Sequence, residues 1–225
     1  MVCHDLAASF RHLTHFSRLL LDERGEELTE RELIHAEQLR AAGVRCEAML
    51  EQLFVYSRIQ QKTLEKVRRD ATPIVHLSVL RLAEPIKAAG AEISVDPLGE
   101  VYADEELLAL ACGAVLDNAI KFARSAAPLR IAVRSVGDDT ASRIRISDNG
   151  PGVAPKYRDI AFQMFRRLNR QNADPGVGAG LAIARRIARR HGGEAAFLDG
   201  AEGACVELAF PHAPVSTLTR YVQGT

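Results

Sequence analysis

Two glycine-rich turns constrain this chain more than any other feature. The first, residues 146–152, reads Ile-Ser-Asp-Asn-Gly-Pro-Gly; the second, residues 176–183, reads Gly-Val-Gly-Ala-Gly-Leu-Ala-Ile and runs into a helical pattern. Residues 143–147 alternate like a strand before the first turn. Glycines at such places let backbone approach a ligand closely and adopt positive φ. The second turn offers free backbone N–H groups at a helix start, where phosphate is favoured. Alone, a Gly-x-Gly-x-Gly repeat is more often a flexible loop than a nucleotide cradle. A third element lies upstream, the helical stretch Val-Leu-Asp-Asn-Ala-Ile-Lys-Phe at residues 115–122. Asn118 and Lys121, three apart, share a helix face. The Asn amide oxygen suits a hard cation and the Lys ammonium suits phosphate, although both also suit plain solvation.

Composition narrows the classes. With 225 residues and 47% apolar content, the chain can bury a real core in one or two domains. Lys plus Arg number 29 and Asp plus Glu 29, which argues against nucleic-acid or membrane-surface binding driven by charge. The cysteines, at 3, 46, 112 and 205, show neither Cys-x-x-Cys nor zinc spacing. They read as four reduced, mostly buried thiols of a cytoplasmic protein. The longest apolar run, residues 107–116, is too short for a bilayer, and no secretory leader pattern is visible.

The N-terminal third reads as a helical hairpin. Leu6, Phe10, Leu13, Phe16 and Leu20 fall at steps of three and four. A charged loop over 22–30 follows, and Thr29 with Glu32 forms a capping-box pattern. Leu39, Gly43, Cys46, Leu50 and Leu53 repeat the apolar seam. Two such helices cannot enclose a core alone, so a four-helix bundle with a second copy is expected; the alternative is intramolecular packing. Residues 62–70 read as a charged junction. Beyond it the patterns predict an edge strand over 71–77, limited by Pro73, and a helix over 76–89 closed by Gly90. Strands over 91–95 and 101–103 follow, then a helix to 123 capped near Asp104. A hairpin over 129–147, a mobile lid over 156–175, a helix over 180–191 and a closing hairpin over 194–210 complete the pattern. The fold class is α+β, helices layered on one face of a mixed sheet. The expected domains are 1–66, 67–213 and a flexible tail at 214–225.

Taken together, these elements resemble the ATP-binding domain of sensor histidine kinases, within the wider Bergerat-fold ATPase group. Asn118-Ala-x-Lys-Phe looks like the N box, Asp148-x-Gly-x-Gly the G1 box, Phe162-x-x-Phe165 the F box and Gly176-x-Gly-x-Gly180 the G2 box. The resemblance spans about residues 70–212. It implies that Asp148 accepts a hydrogen bond from the adenine amino group, in a turn shaped by Gly150 and Gly152. It also implies that Asn118 ligates Mg²⁺, with Lys121 near the phosphates. Gly176, Gly178 and Gly180 would let lid and helix wrap the triphosphate of ATP, and Arg166 and Arg167 would reach phosphate or the acceptor site.

His4-Asp5-Leu6 ahead of the hairpin resembles the H box of histidine kinases. Phe10-Arg11, Phe16-Ser17-Arg18-Leu19-Leu20 and Tyr56-Ser57-Arg58 look most like the phytochrome-type branch. The resemblance implies a homodimeric protein-histidine kinase in which His4 is the phosphoacceptor and Asp5 orients its ring. The phosphoryl group would pass to an aspartate on a response-regulator receiver domain. An upstream sensor domain or partner is expected, with no nucleic-acid or membrane contact by this chain. The sequence starts three residues before His4, compatible with an excised core or a short protein driven by a partner. Three positions depart from the pattern. Ala114 stands where the N box has its first polar residue, Ser9 where the H box has Pro, and Ala8 where bifunctional members have Thr or Asn. They imply a missing metal or water contact, an unbent first helix and weak or no phosphatase activity. Two other readings remain: a histidine phosphotransfer adaptor whose ATPase-like domain only docks, and a serine kinase of the anti-sigma type.

Overall fold

In the computed structural model the capping box at Thr29 forms. The Thr29 hydroxyl accepts the Glu32 N–H, and the Glu32 carboxylate accepts the Thr29 N–H at 2.9 Å. It opens α2 (Glu30–Gln61), which packs on α1 (Val2–Arg24). The structure describes residues 2–25, 27–122, 128–138, 140–168, 176–199 and 202–212, the side chains of 2–7 excepted. α1 runs unbroken past Ser9. Small residues let the two helices approach: Ser17, Ala36 and Gly43 are buried, and a Cβ on Gly43 would lie 2.6 Å from the Thr14 hydroxyl. Among the described residues much of the apolar seam lies exposed. Phe16 is 64% exposed, and Leu13, Leu20, Leu39 and Leu53 are exposed too.

After the hairpin come β1 (Val67–Asp70), α3 (Ala71–Arg81), α4 (Ala83–Ala89), β2 (Glu92–Val95), β3 (Glu100–Ala103) and α5 (Glu105–Phe122). β4 (Arg130–Gly137), β5 (Ala141–Asp148), α6 (Pro155–Ala161), α7 (Gly180–Arg190), β6 (Glu194–Phe197) and β7 (Cys205–Pro211) complete the order. β2, β4, β5, β7 and β6 form one five-stranded sheet in that order; β2 and β4 are parallel and the other pairs antiparallel. β1 and β3 form a separate antiparallel ribbon. The sheet is therefore mixed, as expected. α3, α5 and α7 lie together over it, burying Leu108, Leu116 and Ile120 of α5 and Ile187 of α7 against Ile131, Ile144 and Leu208. Arg143 and Arg145 of β5 alternate with the buried Ile144 and Ile146 and pair with Glu207 of β7.

The structure corrects two local expectations. Residues 71–77 are helical rather than an edge strand: Asp70 caps α3 by accepting the Thr72 N–H at 2.9 Å, and Pro73 falls in the first turn, where its missing N–H is harmless. The strand lies just before it, in what read as the junction. The single helix expected over 76–89 is two, because Pro85 cannot continue α3 and instead sits in the first turn of α4; Gly90 closes α4 at φ +60°. Of the expected lid, residues through 168 are described and include α6; the rest, and the tail from 213, lie outside the described residues. Cys112 and Cys205 are buried free thiols and Cys46 is half-buried; the Cys3 side chain lies outside the described set.

A polar cluster joins the hairpin to the sandwich. The buried Asp104 carboxylate accepts Lys62 Nζ at 2.9 Å, the Glu65 N–H at 3.2 Å and the Leu107 N–H at 3.1 Å, so it caps α5 and pins the linker together. Its own N–H donates to His191 Nε2 at 3.0 Å, while His191 Nδ1 faces the Ile187 carbonyl. Arg190 donates to the carbonyls of Ile59 and Lys62 at the end of α2. Burial pushes His191 below its ordinary 6.5, with the Ile187 carbonyl opposing. Burial pushes Asp104 up, but Lys62 and the N–H donors outweigh it, leaving the carboxyl below its usual range. The signs agree. The unfolded chain takes up a proton at histidine before the folded one does, and the stabilising Asp104 carboxylate is lost only at lower pH. Denaturant unfolding should therefore show stability falling from about pH 7 towards pH 5, and His191→Gln should flatten that slope.

Candidate functional site

β5 ends on Asp148, and the sheet register places it beside the loop that precedes β7. Asp148 Oδ1 accepts the N–H of Gly150 at 2.9 Å and of Ala204 at 3.2 Å, and the Asp148 N–H donates to the Ala204 carbonyl. Burial pushes the Asp148 carboxyl above its ordinary range, and the two N–H bonds oppose it. The turn is tight: Gly152 sits at φ +68°, with a Cβ there 2.9 Å from the Gly203 carbonyl oxygen. A Cβ on Gly203 would lie 2.1 Å from the Asp148 carbonyl oxygen. Gly203 and Ala204 thus form the floor under Asp148. Sequence reasoning missed both, because a lone Gly in a short loop between strands carries no signal of what packs on it.

α5 brings the next group. Asn118 is half-buried on the helix face turned to the second glycine turn, and its side chain makes no hydrogen bond among the described residues. Lys121 Nζ lies 2.6 Å from Asp117 Oδ2 and 3.4 Å from where a Cβ on Gly176 would stand. Gly176 and Gly178 have φ of +62° and +75°, which a side chain would strain. Ala114 packs against Gly180: a Cβ on that glycine would lie 3.5 Å from its carbonyl oxygen and 3.8 Å from its methyl. Phe162 is buried against Phe197, ring centroids 5.3 Å apart. Phe165 adopts φ +60°, rare for a bulky residue, and donates its N–H to the Gly178 carbonyl at 2.8 Å. A Cβ on Gly178 would in turn lie 2.7 Å from the Arg166 carbonyl oxygen.

These groups meet around two adjoining cavities. The first, of about 270 Å³, is lined by Asp148, Gly152, Asn118, Gly178 and Gly180 and by Arg166 and Arg167. Arg167 Nε is buried there with no partner among the described residues. The second, of about 450 Å³, shares Asn118, Gly178 and Gly180 and adds Asp117, Lys121 and Gly176. Its far wall is α2, through Ala48, Gln52 and Val55. Gly150 acts through its N–H to Asp148 rather than as lining. Lys121 faces the second cavity, not the first. The side chains of His4 and Asp5 lie outside the described residues.

Helices layered over a mixed sheet, with Asp148, Asn118 and the second glycine turn around one cavity, give the fold of histidine kinase ATPase domains. Over residues 103–214 the chain matches the family of histidine kinase-, DNA gyrase B- and HSP90-like ATPases. The signal transduction histidine-protein kinase/phosphatase MprB of Mycobacterium ulcerans is 31% identical over 170 residues, 72% of this chain and 33% of MprB. The phytochrome-like protein Cph1 of Synechocystis sp. is 26% identical over 192 residues, 85% of this chain and 25% of Cph1. Full-length ShkA, solved in complex with AMPPNP, shares the fold with a TM-score of 0.64 at 22% identity, covering 95% of this chain and 46% of ShkA. The chain spans a third or less of the length of the curated relatives it matches. No helix of the described residues is long and apolar enough to cross a membrane.

Proposed function

We propose that this chain is the catalytic core of a two-component protein-histidine kinase, which transfers the γ-phosphoryl group of ATP to His4. The observation that carries this is the meeting of Asp148, Asn118, Gly178 and Gly180, from separate stretches of the sequence, around one cavity. The residues present fit Mg²⁺-bound ATP: among the described residues Asp148 keeps an oxygen free of hydrogen bonds, Asn118 has an unpaired amide, and Arg167 has a buried, unpaired N–H. Asp148 would accept from the adenine amino group, and Asn118 would hold Mg²⁺. Gly176, Gly178 and Gly180 would present backbone to the phosphates, with Lys121, Arg166 and Arg167 supplying positive charge. ATP supplies the phosphoryl group and Mg²⁺ neutralises its charge. Phosphoryl transfer then needs mainly positioning and electrostatic stabilisation from the protein.

The hairpin supports the acceptor assignment. Gly43 of α2 abuts Leu13 and Thr14 of α1. With antiparallel helices of equal rise, the backbone of residue 4 falls at the level of residues 52–53. Gln52 lines the cavity on the phosphate side. His4 would receive the phosphoryl group with Asp5 steadying the imidazole and taking its proton. A response-regulator aspartate would receive it next. The exposed Leu13, Phe16, Leu20, Leu39 and Leu53 suit burial against a second copy in a four-helix bundle.

Incubation with γ-labelled ATP and Mg²⁺ tests the reading. The expected result is an acid-labile label on the wild-type chain that is absent from His4→Gln and reduced at least about a hundredfold in Asn118→Ala. An acid-stable label would favour a serine kinase. ATP binding with label persisting in His4→Gln would move the acceptor elsewhere, and a chain that binds no ATP would act as a phosphotransfer adaptor.

A further inference from the structure

The lysine expected at the phosphates is already paired. Lys121 Nζ sits 2.6 Å from Asp117 Oδ2, one helical turn back on α5. Both side chains remain about a third exposed, at 30% and 34%, so the pair faces open space rather than the core. Both line the second cavity, on the side of α2, and neither lines the first. The ammonium rests against Gly176, the first glycine of the phosphate-side turn. Asp117 is also the immediate neighbour of Asn118, the candidate metal ligand. A negative charge thus stands beside the place where polyanionic phosphates are to bind.

We propose that Asp117 is a positioning residue that makes the phosphate site selective for the metal-complexed nucleotide over the metal-free one. The inference rests on the ATP reading above. Asp117 holds Lys121 against the glycine turn and cancels its charge locally. A metal-free triphosphate meets this carboxylate with its full negative charge and must compete with it for the ammonium. The Mg²⁺ complex carries less charge and loses less to the same repulsion. Close like charges at a partly exposed site interact strongly enough to shift affinity by about tenfold. Asp117 therefore acts by excluding the wrong form, not by adding a contact to the right one.

Equilibrium binding of a fluorescent ATP analogue, with excess Mg²⁺ or with EDTA, tests this in the wild type, Asp117→Asn and Asp117→Glu. In the wild type the analogue should bind far better with Mg²⁺. Asp117→Asn should tighten binding in EDTA by about tenfold while changing binding in Mg²⁺ by less than about threefold, so the preference for metal collapses. Asp117→Glu, which keeps the charge, should restore the preference. Equal weakening of both forms by Asp117→Asn would make the residue merely structural and overturn the proposal. Loss confined to the Mg²⁺ arm would make Asp117 a metal ligand and also overturn it. A wild-type chain that binds no nucleotide in either buffer would instead sink the ATP reading, which separates the two failures.

Discussion

Asp148→Ala should raise the dissociation constant for ATP at least about a hundredfold. Two losses combine. A hydrogen bond to a charged acceptor is worth roughly 1.5–3 kcal/mol, and the N–H groups of Gly150 and Ala204 lose the oxygen that holds them, at about 1–3 kcal/mol for a buried donor left unpaired. Both donors bond this one oxygen now, so the turn itself loosens. The raised carboxyl adds a pH signature. Adenine needs the ionised form as acceptor, so wild-type affinity should fall as pH drops through a range above that of an ordinary aspartate, with a proton released on binding. Calorimetric titration at several pH values measures both. An unchanged affinity in Asp148→Ala would mean that the base is read elsewhere.

Gly203→Ala should destabilise the protein by about 2–4 kcal/mol and abolish nucleotide binding together. The added methyl would sit 2.1 Å from the Asp148 carbonyl oxygen and 2.7 Å from the Gly150 nitrogen. Both are backbone atoms, which cannot swing aside as a flexible side chain could. The strain therefore falls on the turn that carries Asp148. Gly137→Ala is the matched control, because its nearest obstacle is 3.9 Å away; its effect should stay within about 0.5 kcal/mol. Thermal melts of the two variants decide the matter, and similar midpoints would show that the loop before β7 yields.

Local rules made much of this visible in the sequence. Thr29 and Glu32 announce the second helix because a capping box is satisfied within four residues. The alternation through Ile144 and Ile146 announces a strand because one face must be buried. Pro73 misled for a local reason as well: without knowing that Asp70 caps the helix, a proline reads as a limit on a strand. The candidate site was legible where its chemistry sits on motifs, at Asn118, Asp148 and the glycine turn. Gly203 and Ala204 were not legible, since only the pairing of β5 with β7 brings them under Asp148. The union of Lys62 with Asp104, 42 residues on, was hidden for the same reason. The Asp117–Lys121 pair did have a signal, the i,i+4 spacing of opposite charges on one helix.

The polar cluster at residues 59–65 has a mechanical meaning. A slack tether would let a helical lever turn without moving its load. Here the end of α2 is gripped by Arg190 at the tip of α7, and Lys62 just beyond it by Asp104 at the root of α5. The hairpin is thus tied to two helices at once. These are the helices that begin at Gly180 and carry Asn118. Because Asp104 is buried and Arg190 grips backbone carbonyls, added salt should screen this joint less than the exposed Lys62–Glu106 pair beside it.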